Sequence, residues 1–343
     1  MAVPKVGEMI ADFPVPAALA ERGITQARIF AVRLRRRFRR ILVREGVLLH
    51  GSAGWGECAP FWDYDPRQSA PWLSSAIKCA TNEYPVPRSQ RVRVNATVPI
   101  MDPAAAAAHV ANLGCATAKV KVADPGTDLA ADLARIRAVS EKLGELHGRA
   151  AKVRVDANAA WDRADAVRAI CALETCITSS GAEFEYCEQP CADITDLAWV
   201  RRHVTVPIAA DESIRLASDP LKVARLGAAD VAIIKIAPLG GIDSALEIAA
   251  ETGLKVVISS ALDTSVGISA GVAAAAALGT DAACGLGTVT MFTSDVTTRP
   301  LIPQNGFLPT VRPPVDAPLT KAPTKLTEKW SHRLELMAKE LHD

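Results

Sequence analysis

No apolar run in this chain reaches the ~18–20 residues that a membrane-spanning helix needs. The alanine run near Ala104 is short and reads as a helix start. A basic stretch followed by an apolar core is missing at the N-terminus, so no secretory signal is expected and the reading is cytoplasmic. A surplus of one charge sign is missing too. Lys and Arg number 39, Asp and Glu 38, for a formal net charge of +1. That removes the general electrostatic case for nucleic acid or an anionic membrane as partner. The eight cysteines include no CxxC pair and no metal-finger spacing. They read as reduced, buried thiols, Cys187 and Cys191 included. No GxGxxG or P-loop run follows an apolar segment, which argues against a nucleotide fold.

What is present is an ordinary globular composition, 49% hydrophobic and 22% charged over 343 residues. That is long enough for one large domain and a smaller one. Residues 28–35, 39–51 and 53–60 read as three strands joined by short turns, followed by a helix over 69–84 that ends at Pro85 and Pro87. Basic residues cluster from Val32 to Arg40, either as a solvated strand end and turn or as an anion-steering patch. The expectation is a small α+β unit over residues 1–90.

From about Arg91 the pattern becomes alternation. Eight β-rich runs, at 92–99, 117–123, 151–158, 184–190, 208–213, 231–236, 255–260 and 283–288, are separated by helical stretches such as 129–146, 163–174 and 244–253. Alternation implies a parallel sheet, and eight repeats favour a closed barrel over an open sheet. The fold expected is therefore α/β, a modified (β/α)8 barrel over 91–299 with an α+β cap. A Pro-rich tail from about 300, then helical from Leu326 to Leu341, is expected to pack on the cap or on the barrel's outside.

Barrel active sites lie at the C-terminal strand ends. Those ends carry, in order, Lys119 and Lys121, Asp156 and Asn158, Glu188, Asp211 and Glu212, Lys235, Ser259 and Ser260, and Gly285 and Gly287. Each step is about one β/α unit long, so these polar groups converge on one mouth. Asp156, Glu188 and Asp211 offer only hard oxygen donors, which favours Mg²⁺, with Mn²⁺ as a substitute, over zinc. Any one alone reads equally as a loop or helix-capping carboxylate. Three in register do not. Lys119 and Lys121 share one strand face, and Lys235 stands across the mouth. A lysine beside another cation gives up its proton more readily and can act as a base. The chemistry implied is proton abstraction next to a carboxylate, with a small-molecule carboxylate as the partner.

The motifs KVK at 119–121, DAN at 156–158, EQP at 188–190, DES at 211–213 and the lysine of IIKI at 235 resemble the enolase superfamily, and within it the muconate-lactonising-enzyme-like subgroup. The resemblance covers nearly the whole chain. It implies a capping domain, a (β/α)7β barrel and a C-terminal segment returning to the cap. It also implies that the three carboxylates bind Mg²⁺, that Lys121 is the acid/base with Lys119 as its charge partner, and that Lys235 is the opposite lysine. The last strand lacks the D-x-D of dipeptide epimerases, and no His replaces Lys235 as in mandelate-racemase-like members. The runs at 259–267 and 283–288 resemble actinobacterial o-succinylbenzoate synthases. Ser259, Ser260, Gly285, Gly287 and Asn158 would then face substrate. The activity implied is a syn dehydration in menaquinone synthesis. N-succinylamino acid racemisation, muconate cycloisomerisation and a catalytically silent binding barrel are the alternatives. The turn at Arg36–Arg39 and the segment Phe61–Tyr64 are expected to cover the mouth.

Overall fold

The computed structural model describes residues 8–39 and 41–341. Arg40, which falls within the basic cluster and an expected strand, lies outside the described residues.

The N-terminal unit is a four-stranded antiparallel sheet in the order β1 (Glu8–Phe13), β2 (Gln26–Phe38), β3 (Ile41–Gly51), β4 (Gly54–Cys58). β1 was not expected, because a six-residue EMIADF run carries little strand signal. It pairs with Ala27–Val32 of β2 and so gives the segment before Arg28 a place. Helix α2 (Pro66–Thr81) follows a short α1 (Ala17–Ala20). An Asp65–Gln68 capping box and Pro66 start α2 three residues earlier than expected. It lies on the sheet so closely that a Cβ at Gly56 would come within 2.0 Å of Ala76 O. Ile29, Phe30, Leu48, Leu49, Trp72 and Leu73 are buried in the core of this unit.

Seven parallel strands then form one curled sheet in sequence order: β6 (Ala96–Val98), β7 (Thr117–Lys121), β8 (Lys152–Asp156), β9 (Glu183–Glu188), β10 (Ile208–Ala210), β11 (Val231–Lys235) and β12 (Lys255–Ser259). Their near-continuous apolar runs, such as VAII in β11, are buried on both faces, as parallel sheets require. The first expected strand is split. β5 (Arg91–Arg93) leaves the barrel and pairs with β13 (Phe307–Pro309). The eighth expected strand, 283–288, is not formed. Only the bridges Val94↔Cys284 and Ser259↔Gly285 close the ring before a 3₁₀ turn at Gly287–Met291. Glycines weaken a strand, and a Cβ at Gly285 would meet Ser259 Oγ at 2.4 Å.

Inside the barrel floor, Arg154 is fully buried and donates to Glu185, Asn95 Oδ1 and Ala283 O. None of these partners was anticipated from the sequence. The tail helix α11 (Thr324–Lys339) returns to the cap, where Trp330, Leu334 and Met337 join its core. Arg333 of α11 donates to the carbonyls of Pro60, Phe61 and Tyr64 and so fixes that loop.

Candidate active site

Strand register brings the expected residues into one layer. Lys121 stands opposite Asp156, and Asp156 opposite Glu188. Across the mouth Lys235 stands opposite Ser259, which bridges Gly285. Asp211 is two residues beyond Ala209, the partner of Glu188, so it points the same way.

Each carboxylate is held by an ammonium group. Lys119 Nζ lies 2.8 Å from both Glu188 oxygens and 3.3 Å from Asp156 Oδ2. Lys121 Nζ donates to Asp156 Oδ2 at 2.5 Å and to Asn158 Oδ1 at 2.6 Å. Lys235 Nζ donates to Asp211 Oδ2 at 2.6 Å. Two turns hold these ends in shape. Gln189, at φ +41°, accepts from the Asp211 and Ser213 N–H groups and donates to Cys191 O and Ser213 Oγ. Asn158, at φ +47°, receives Lys121 and offers its N–H to Asp156.

The charges balance unevenly. Burial alone would strip Lys119 of its proton, but Glu188 and Asp156 outweigh it and hold the ammonium well above its ordinary range. Burial likewise opposes ionisation of Asp156 and Asp211, yet the lysines beside them lower both. Glu188 goes the other way. Burial, then the neighbouring Asp156 carboxylate, pushes it up to about 7 even beside Lys119.

Among the described residues, no three His, Cys, Asp or Glu side chains are already gathered into a metal cage. The lysines occupy the oxygens instead. The donor set nevertheless fits a hard divalent cation: three buried carboxylates, all oxygen, one of them short of positive charge. Asp156, Glu188 and Asp211 are the residues that would hold it.

The cleft wall includes Ser259, Ser260 and Gly285 on the barrel side. Ser260 Oγ lies 2.7 Å from Thr288 Oγ1. Gly287 is not part of the wall. A Cβ there would lie 3.1 Å from Asn95 O, so the glycine serves a close approach of backbone. From the cap come Phe38, Arg39, Phe61, Tyr64 and Trp72. Arg33, Arg35, Arg36 and Arg37 are exposed, so most of the basic cluster is a solvated face and only Arg39 of the basic turn reaches the cleft. Trp62 turns away, donating to Glu45 and packing on Trp330 at 4.9 Å. Sequence reasoning missed Arg215, a buried side chain four residues after Asp211 that also lines the cleft.

A cap of antiparallel sheet over a seven-stranded parallel barrel, with lysines and carboxylates at the strand ends, defines a class of barrel enzymes. The chain belongs to the enolase superfamily: the "Enolase C-terminal domain-like" family matches residues 102–314 and the "Enolase N-terminal domain-like" family residues 29–80. Among its relatives is a protein of Thermobifida fusca (strain YX) named o-succinylbenzoate synthase, 52% identical over 286 residues, 83% of this chain and 87% of the relative. A protein of the same name from Mycobacterium tuberculosis (strain ATCC 25618 / H37Rv) is 48% identical, covering 90% of this chain and 92% of its own. The fold is shared with the L-Ala-D/L-Glu epimerase of Bacillus subtilis, at TM-score 0.71 and 23% identity over 85% and 97% of the two chains. It is also shared with the muconate lactonizing enzyme of Pseudomonas fluorescens, at TM-score 0.69 and 21% identity over 96% and 98%.

Proposed function

We propose that the protein is an o-succinylbenzoate synthase, dehydrating 2-succinyl-6-hydroxy-2,4-cyclohexadiene-1-carboxylate to 2-succinylbenzoate in the cytoplasm. The observation that carries this reading is the pair of opposed lysines, Lys121 on β7 and Lys235 on β11, each seated on a carboxylate in one cleft. The relatives' shared name supports the particular reaction. We also read residues 1–90 with 300–343 as the cap, and 91–299 as the catalytic barrel.

Lys121 removes the proton next to the ring carboxylate, giving an enediolate. As its ammonium it then protonates the departing hydroxyl, so a C–H and a C–O bond break and water leaves as the ring becomes aromatic. Syn geometry lets one residue act twice from one face. Lys119, kept protonated by Glu188 and Asp156, is a fixed positive charge on the same strand face. Lys235 stabilises the enediolate charge from the far side. A Mg²⁺ or Mn²⁺ ion on Asp156, Glu188 and Asp211 would add to this stabilisation. Ser259, Ser260, Gly285 and Asn158 orient the substrate, while Phe61 and Trp72 exclude water.

The test is turnover of the cyclohexadiene with Mg²⁺, followed by assays with N-succinylamino acids and muconate. Dehydration supports the reading. Racemisation or cycloisomerisation alone would replace it by the corresponding activity, and no turnover of any of them would favour a binding barrel.

A further inference from the structure

Arg215 uses all three guanidinium nitrogens. Its Nε donates to Asp211 Oδ1 at 3.0 Å, Nη2 to Glu212 Oε1 at 2.6 Å, and Nη1 to the Tyr64 hydroxyl at 2.6 Å. The first two partners lie on its own short turn, α7 (Glu212–Arg215), or at its start. The third belongs to the cap. The Tyr64 hydroxyl also accepts from Arg39 Nη2 at 3.2 Å. The Arg215 side chain is only 4% exposed, so water does not replace these bonds. Asp211 has two oxygens, and both are taken: one by Arg215, the other by Lys235. A chain of contacts therefore runs from the cap turn through Tyr64 and Arg215 to Asp211 and Lys235.

We propose that Arg215 and Tyr64 are positioning residues, through which the seating of the cap sets the plane of the Asp211 carboxylate and hence the aim of Lys235. A guanidinium is a rigid plane, so fixing Nη1 on Tyr64 and Nη2 on Glu212 fixes the direction of the Nε–H that meets Asp211, which a flexible ammonium cannot do. With Tyr64 in place, Nη1 is anchored and the fork cannot swing. When the cap is displaced, that anchor is lost and Arg215 is held only by Asp211 and Glu212 of its own turn. The cap then does more than roof the cleft, because its arrival completes the orientation of a barrel carboxylate.

The experiment is a double-mutant cycle with Tyr64→Phe and Arg215→Lys, which keep the ring and the charge respectively. Mn²⁺ affinity is read by electron paramagnetic resonance without substrate, and kcat and KM are read with it. Groups that orient a metal ligand are typically worth about 10–100-fold in affinity or activity. Each single variant is expected to lose Mn²⁺ affinity in that range, and the double variant to be no worse than the poorer single. The kinetic arm rests on the synthase reading, whereas the Mn²⁺ arm does not. An enzyme inert towards the cyclohexadiene leaves the Mn²⁺ arm to decide. Folded Tyr64→Phe protein with Mn²⁺ affinity within twofold of wild type would overturn the proposal. So would losses that simply multiply in the double variant. Since Tyr64→Phe deletes one oxygen only, it remains decisive if Arg215→Lys fails to fold.

Discussion

Lys119 and Lys121 stand two residues apart, and the acids across the neighbouring strands make that tolerable. Each ammonium faces a buried carboxylate, so the desolvation cost of the pair is offset by charge-assisted hydrogen bonds. The carboxylates and lysines were legible in the sequence because period 2 and the length of a β/α unit fix where strand ends point. Arg215 was not, since a polar residue on a one-turn helix carries no periodic signal; Tyr64 was expected at the mouth, but its bond to Arg215 was not. Two predictions belong to this scale. Lys121→Ala is expected to lower kcat by about 10²–10⁴-fold, the usual worth of a general acid–base group, and to abolish solvent-deuterium exchange next to the carboxylate. Near-wild-type turnover of Lys121→Ala, with Lys235→Ala inactive, would reverse the assignment. Glu188→Gln is expected to abolish activity, as chelation should, with Mg²⁺ or Mn²⁺ restoring only the chelated wild type. Full turnover after exhaustive chelation refutes the metal role.

Elements differ in how plainly they were written. The barrel strands β6 to β12 were readable because each is a short apolar run bounded by helical stretches. The closing segment looked the same, yet its glycines replace a strand with two bridges. Trp62 lies between Phe61 and Tyr64 in the sequence, but neighbours along a loop need not face the same way, and the tail helix captures its ring. That helix has a task of its own. Trp330 is fully buried in the cap core, and Arg333 ties down the loop bearing Phe61 and Tyr64. Trp330→Ala is expected to cost about 3–5 kcal/mol, as for a large aromatic removed from a core. Because it loosens the loop, KM should also rise. Chemical denaturation with kinetics on the folded fraction tests both, and unchanged KM in a destabilised variant would separate the helix from the cleft.

At the scale of the whole molecule, cap and barrel meet through buried charge. Glu57 of β4 accepts from the Thr264 and Gly267 N–H groups and the Thr264 hydroxyl, at the start of the barrel helix α10 (Ser265–Leu278). Arg44 of β3, fully enclosed, donates to Ala59 O in the cap and Leu262 O in the barrel, and stacks on Phe61 at 4.1 Å. Burial, then the nearby Asp263 carboxylate, pushes Glu57 up from an ordinary 4.5 to about 7, despite the hydrogen bonds from Thr264. The folded state thus holds a proton that the unfolded chain releases. Between pH 4.5 and about 7 the folded form binds more protons, so the contribution of Glu57 to stability falls as pH rises through that window. Above pH 7 the penalty is complete, with an upper bound of roughly 3 kcal/mol for a shift of this size. Glu57→Gln removes the ionisation at the cost of some helix-capping bonds, a loss that does not vary with pH. The Tm of this variant, measured against wild type from pH 4.5 to 8, is therefore expected to improve as pH rises to about 7 and to level off above it. A constant difference across that range would mean that Glu57 is ionised throughout, and that α10 and Arg44 stabilise its charge where cap and barrel join.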